Sequence, residues 1–98
     1  KNNNDMKTYI FTKEYRKARN YENVLCNIYR VKNNKPIYVG VARFSTGSCK
    51  QAISEVFCTL IELKEIPQSF YNLSKTDCRS GGYYCDKVEE KGIKIIEL

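Results

Sequence analysis

Histidine and tryptophan are absent from this chain, proline occurs twice and methionine once. Without an imidazole, zinc sites that use His and nucleophiles activated by a His base are both excluded. No apolar run approaches the roughly 20 residues of a membrane-spanning helix, and the opening KNNNDMKTY lacks the apolar stretch of a signal peptide. The expectation is a cytoplasmic protein with no membrane partner. Acidic residues are the scarcer charge, 11 against 17 Lys and Arg, for a formal net charge of +6. A field of that sign attracts phosphates and other polyanions without specifying a site for them.

Cysteine is present in an odd number, Cys26, Cys49, Cys58, Cys78 and Cys85. An odd set excludes a fully paired disulfide framework. The intervals from Cys49 to Cys58 and from Cys78 to Cys85 are wider than the ligand loops of zinc ribbons, so structural thiols are expected, with no metal and no cofactor. Ninety-eight residues suffice for one modest core, giving a single domain over residues 1–98. MKTYIF from Met6 looks like a natural start, and residues 1–6 read as a flexible extension. Asn, Lys, Ile, Tyr and Phe, whose codons are AT-rich, make up 42 of the 98 residues. That bias points to a low-GC genome.

Along the chain, residues 7–13 predict a first strand. The basic segment KEYRKARNYEN reads as a connector holding a bend or a helical turn, and residues 24–32 as a second strand. Asn33 and Asn34 both tolerate positive φ, the requirement of a two-residue type I′ turn. That turn sets the register of the hairpin. Lys32 faces Lys35, Tyr29 faces Tyr38, Ile28 faces Val39, Asn27 faces Gly40 and Cys26 faces Val41. One face then holds Val24, Cys26, Ile28, Ile37, Val39 and Val41 and reads as core. The other carries both tyrosines with Leu25, Asn27, Gly40, Ala42 and Phe44.

Ser48 and Gln51 form a capping box for a helix over residues 49–64, whose apolar stripe is Cys49, Ala52, Ile53, Val56, Phe57, Leu60 and Leu63. Pro67 stops it. A short helix is expected around residues 70–75, a last helical turn within 84–91 capped by Gly92, and a final strand at residues 93–98. The expected fold is α+β: a small antiparallel sheet of about four strands packed on one main helix, in the order β-β-β-α-(α)-β.

Tyr29 in NIY and Tyr38 with Gly40 in YVG resemble the two motif halves of a GIY-YIG endonuclease domain. The resemblance covers the hairpin and the coarse order of elements. It implies a metal-dependent attack on a phosphodiester in which both tyrosines take part. Asn27 stands where the family has glycine, no Arg lies on the following helix where the family places its phosphate-binding Arg, Lys50 is the only cation nearby, and no acidic residue, Glu89 and Glu90 included, is matched to the family's metal-binding Glu.

Two further segments have binding chemistry. KEYRKARNY interleaves Lys13, Arg16, Lys17 and Arg19 with Tyr15 and Tyr21, the mixture in which cations hold phosphates while rings stack on bases. CRSGGYYC offers Arg79, two glycines that turn N–H groups inward, and Tyr83 and Tyr84. In an oxidising compartment Cys78 and Cys85 would close that loop.

The reading that follows is a non-enzymatic binding protein for a nucleotide or nucleic acid, or for a nucleic-acid-handling protein complex. Its expected ligand-binding residues are Tyr15, Arg16, Lys17, Arg19, Tyr29, Arg30, Tyr38, Arg79 and Tyr83. A phage or mobile-element accessory protein that antagonises host defence fits the size and codon bias. The alternatives are a degenerate or divergent GIY-YIG-like nuclease, and a small secreted protein with partial disulfides.

Overall fold

The computed structural model describes residues 6–47, 51–76 and 82–98. Three long strands, β1 (Lys7–Lys17), β2 (Glu22–Lys32) and β3 (Lys35–Ser45), form an antiparallel meander. Helix α1 (Ala52–Glu62), a 3₁₀ segment (Gln68–Thr76) and helix α2 (Asp86–Glu90) then cross back to a short last strand, β4 (Ile93–Glu97). The sheet order is β3-β2-β1-β4. The α+β class, the four strands and the order of elements are as the sequence implies.

The sheet is mixed rather than antiparallel throughout, because β4 runs parallel to β1. A parallel neighbour needs a crossover of a dozen or more residues, and the helical segments between β3 and β4 supply it. Together they cover one face of the sheet. Tyr9, Phe11, Val24, Cys26, Ile28 and Ala42 from the strands pack there with Val56, Phe57, Leu60, Ile66 and Val88. No helix among the described residues is long and apolar enough to cross a membrane.

The connector expected after residue 13 is strand instead. β1 continues to Lys17, paired with β2 as far as Lys17 opposite Glu22, and the chain reverses through residues 18–21. Its alternation of exposed Lys, Glu, Tyr and Arg lacks an apolar stripe, so the strand is held by backbone pairing to β2 rather than by burial. The ribbon runs past the helical layer and helps give a body 53 Å long and only 19 Å thick.

Asn33 and Asn34 adopt φ of 54° and 64°, and the hairpin register from Lys32 opposite Lys35 to Tyr29 opposite Tyr38 is as expected. Below that a bulge intervenes. Ile28 pairs with Gly40, Asn27 with Val41 and Cys26 with Ala42. One extra residue reverses the faces of the rest of β3. Ala42 and Phe44 thereby join the core, Val41 turns to the opposite face, and Ile37 near the hairpin tip is 40% exposed. A Cβ at Gly40 would come within 2.7 Å of Leu63 Cδ1, so the bulge sits where α1 ends close against the strand.

Helix α1 begins later than the capping-box pattern implies. Its N-cap is Gln51 with no side-chain cap bond, and Ser48, Cys49 and Lys50 lie outside the described residues. The buried stripe includes Ile61, while Leu63 is 43% exposed. Cys58, off the apolar stripe, is half-buried: its thiol donates to the Gly82 carbonyl at 3.2 Å, because the returning chain packs on that flank of α1. Gly92, at φ 102°, follows the C-cap of α2, and its carbonyl accepts the Lys7 N–H at 2.8 Å, where the β1–β4 pairing begins.

Candidate nucleic-acid interface on the open sheet face

Among the described residues, only one face of the sheet carries helices. The other is lined by the alternate residues of all four strands, and a single transverse row, Tyr38–Tyr29–Ile10–Ile96, crosses it from edge to edge. The two rings meet edge-on, with centroids 5.6 Å apart and planes at 68°. Such a pair contributes about 0.5–1.5 kcal/mol beyond its buried area. Tyr38 is nevertheless 55% exposed, so one ring of the pair faces water.

Row by row toward the β1–β2 turn, the same face carries Thr12, Asn27 and Val41, then Glu14, Leu25 and Arg43, then Arg16, Asn23 and Ser45. Same-face rows are about 7 Å apart, which puts Arg43 about 14 Å and Arg16 about 20 Å from the tyrosine row. Arg16 and Arg43 flank a hollow of about 270 Å³ floored by Leu25 and Asn23. Arg16 is held by Glu14 through Nε and Nη2 at 3.1 and 3.0 Å, with both side chains exposed. An exposed pair of this kind is worth at most about 1 kcal/mol, so a phosphate can displace Glu14.

The other basic residues of the ribbon are close by. Lys17, Arg19 and Tyr21 line a hollow of about 470 Å³ at the turn, together with Glu22 and Thr46. Glu22 N–H donates to Thr46 Oγ1 at 3.0 Å and Thr46 N–H to the Glu22 carbonyl at 2.9 Å, tying the ribbon to the end of β3. Tyr15, 52% exposed, belongs to the helix-facing side of β1, opposite Val24.

Of the residues expected from sequence, the structure therefore brings Arg16, Lys17 and Arg19 together at one end of the sheet, with Tyr29 and Tyr38 further along the open face. Arg30 is elsewhere. It is on the helix side, where Nη1 contacts Glu65 Oε1 at 2.6 Å, and Glu65 also accepts a hydrogen bond from Tyr9 at 3.0 Å. Tyr83 is 42% exposed beside α2, and Arg79 and Cys78 lie outside the described residues. Cys85 is a free thiol. Arg43 was missed because its face is legible only once the bulge is known; register counting through an unbroken hairpin gives the wrong side.

Helix α1 carries no Lys or Arg over Ala52–Glu62. Glu89, one of the acidic residues considered for a metal site, contacts Tyr84 and Lys94 at the β4 edge, whereas Tyr38 is on the opposite edge strand. Among the described residues no group of three His, Cys, Asp or Glu side chains could hold a metal ion. No family model matches the chain, and no curated protein or solved structure matches it.

Proposed function

We propose that this chain is a non-enzymatic binding protein for nucleic acid, taken as a single strand across the open face of the sheet. The observation that carries this reading is the Tyr29–Tyr38 pair on a sheet face that none of the described helices covers, with Arg16 and Arg43 on the same face. An exposed tyrosine ring stacks on any base, and arginines further along the face meet the phosphates that follow. Duplex DNA fits less well, because its bases are already stacked and its backbone would meet only the rim cations. A role as a phage or mobile-element accessory protein acting on host defence is compatible with this activity and rests on small size and codon bias.

A second reading has its own observation. The middle rows of the face contain no charge, and the charged residues Arg43, Glu14, Arg16 and Lys94 stand around them. An uncharged centre with aromatic anchors and a charged rim is also the anatomy of a protein interface, here with a protein of a nucleic-acid-handling complex.

The test follows anisotropy of labelled single- and double-stranded DNA and RNA, with cleavage monitored separately in Mg²⁺ and Mn²⁺. Single strands are expected to bind without turnover, and Tyr38→Ala to lose about 1–3 kcal/mol of affinity. Cleavage that Tyr29→Phe or Tyr38→Phe removes would establish the nuclease instead. Absence of binding to every nucleic acid would leave the protein partner.

A further inference from the structure

We propose that the hollow between the start of β1, the β2–β3 turn and the end of α1 binds a compact oligophosphate, two or more adjacent phosphoryl groups, free or carried by a nucleotide. It is separate from the open face, since Arg30, Lys32 and Lys7 belong to the side of the sheet that the helices cover. The hollow has a volume of about 710 Å³, and among the described residues Lys7, Arg30, Lys32 and Lys64 around it face the single carboxylate of Glu65, four positive charges against one negative.

That carboxylate is already engaged. Arg30 Nη1 and the Tyr9 hydroxyl both donate to Glu65 Oε1, at 2.6 and 3.0 Å, and Lys7 Nζ reaches the Glu65 backbone carbonyl at 3.5 Å. Tyr9 is fully buried, and burial together with the neighbouring Glu65 holds its phenol well above the usual tyrosine range, so it stays a donor. The Arg30–Glu65–Tyr9 chain fixes one wall. Among the described residues, Lys32 and Lys64 have no carboxylate partner.

Lys64 supplies a second, independent observation. It follows the C-cap of α1 and has φ of 63°, the left-handed conformation that helices ordinarily give to glycine at this position. A lysine held there at a conformational cost, with its side chain lining a cationic hollow, points to a role for the ammonium group. The negative end of the α1 dipole also faces this region, equivalent to about half a charge. It is offset by the excess of three cations and by N–H groups on its last carbonyls: Lys64 donates to Ile61 at 3.0 Å and Glu65 to Leu60 at 2.9 Å. Two adjacent phosphoryl groups match several separated cations better than one does.

Calorimetric titration of the full chain at low salt with inorganic triphosphate, orthophosphate, ATP and AMP tests the site. Triphosphate and ATP are expected to bind at least roughly tenfold tighter than orthophosphate and AMP, the loss expected for one missing charge-assisted contact or more. ATP binding no tighter than triphosphate identifies the phosphates alone as the ligand; tighter ATP binding adds a contact to the nucleoside. Lys64→Gly should cost roughly tenfold in affinity while the melting temperature holds or rises, because glycine suits the backbone there. Glu65→Gln should tighten binding even though it weakens the Arg30 contact, a sign that a purely structural role cannot produce. Arg43→Ala and Tyr38→Ala should leave triphosphate affinity unchanged, which separates this site from the open face. Equal affinity for all four anions, or unchanged affinity in both Lys64→Gly and Lys32→Ala, overturns the proposal.

Discussion

Cys26 and Tyr9 are sealed in the core as neutral acids. Burial pushes the Cys26 thiol from its ordinary value of 9.0 up to about 11, and burial with Glu65 raises the Tyr9 phenol above its ordinary 10.0. Both folded values exceed the unfolded ones, so below about pH 9 neither group gives stability a pH dependence. As pH rises from 9 to 11 the unfolded chain loses the Cys26 proton while the folded chain keeps it, and stability falls. Tyr9 adds to the decline above pH 10. Denaturant titrations across pH 7–11 should show a plateau and then this fall, with Cys26→Ala flattening the part that begins near pH 9 and Tyr9→Phe the part above 10. An unbroken plateau to pH 11 would show that neither group is buried in its neutral form. The same burial makes Cys26 slow to alkylate in the native state, since the thiolate is the reactive form.

At the scale of elements, the turns follow their residues closely. Gly92 is at φ 102° with no atom within 4 Å of a built Cβ, so Gly92→Ala meets only backbone strain and should cost about 1 kcal/mol, measured by thermal or urea unfolding. Gly92→Asn should cost less, because asparagine tolerates the left-handed region. This is also why so much was readable from sequence here. Asn33-Asn34 and Gly92 state their own geometry, and the pairing of Tyr29 with Tyr38 follows by counting from the turn. What could not be read depends on distant partners. Val39-Gly40 looks like regular alternation, and the close approach of Leu63 to Gly40 is not encoded locally. The polar alternation of residues 13–17 gives no core-facing signal, so its strand is visible only when β2 is beside it. The pairing of β4 with β1 is likewise a product of the crossover. For the candidate site, the ribbon cations and the tyrosine pair were legible as local patterns. Arg43 required the bulge, and the capture of Arg30 by Glu65 required a contact across 35 positions of sequence.

For the whole molecule, the net charge of +6 matters through its arrangement. The long hairpin extends Arg16, Lys17 and Arg19 past the helical layer, where they add to the field at one end of the open face while burying little apolar surface. Stability and binding should therefore separate physically. Thr46 N–H bonds the Glu22 carbonyl, so Glu22 and Val24 turn their amides toward β3 and Asn23 turns its own toward Arg16; residues 17–22 can therefore be replaced by Asn-Gly, which closes a two-residue hairpin on the Arg16–Asn23 pair, with Arg16→Thr alongside. The shortened protein loses the Glu22–Thr46 hydrogen bonds but keeps every strand residue of the core. Its melting temperature should drop by only a few degrees, on the order of 1 kcal/mol in a domain of this size. Single-strand affinity should fall far more. If Arg16, Lys17 and Arg19 each neutralise one phosphate, the slope of log affinity against log salt becomes shallower by about 2, at roughly 0.7 per phosphate for single strands. Tyr38→Ala acts through stacking and should weaken binding while leaving the slope nearly unchanged. A shortened protein that keeps the original slope would remove the ribbon from the interface, and one that loses its cooperative unfolding would show that the ribbon supports the core.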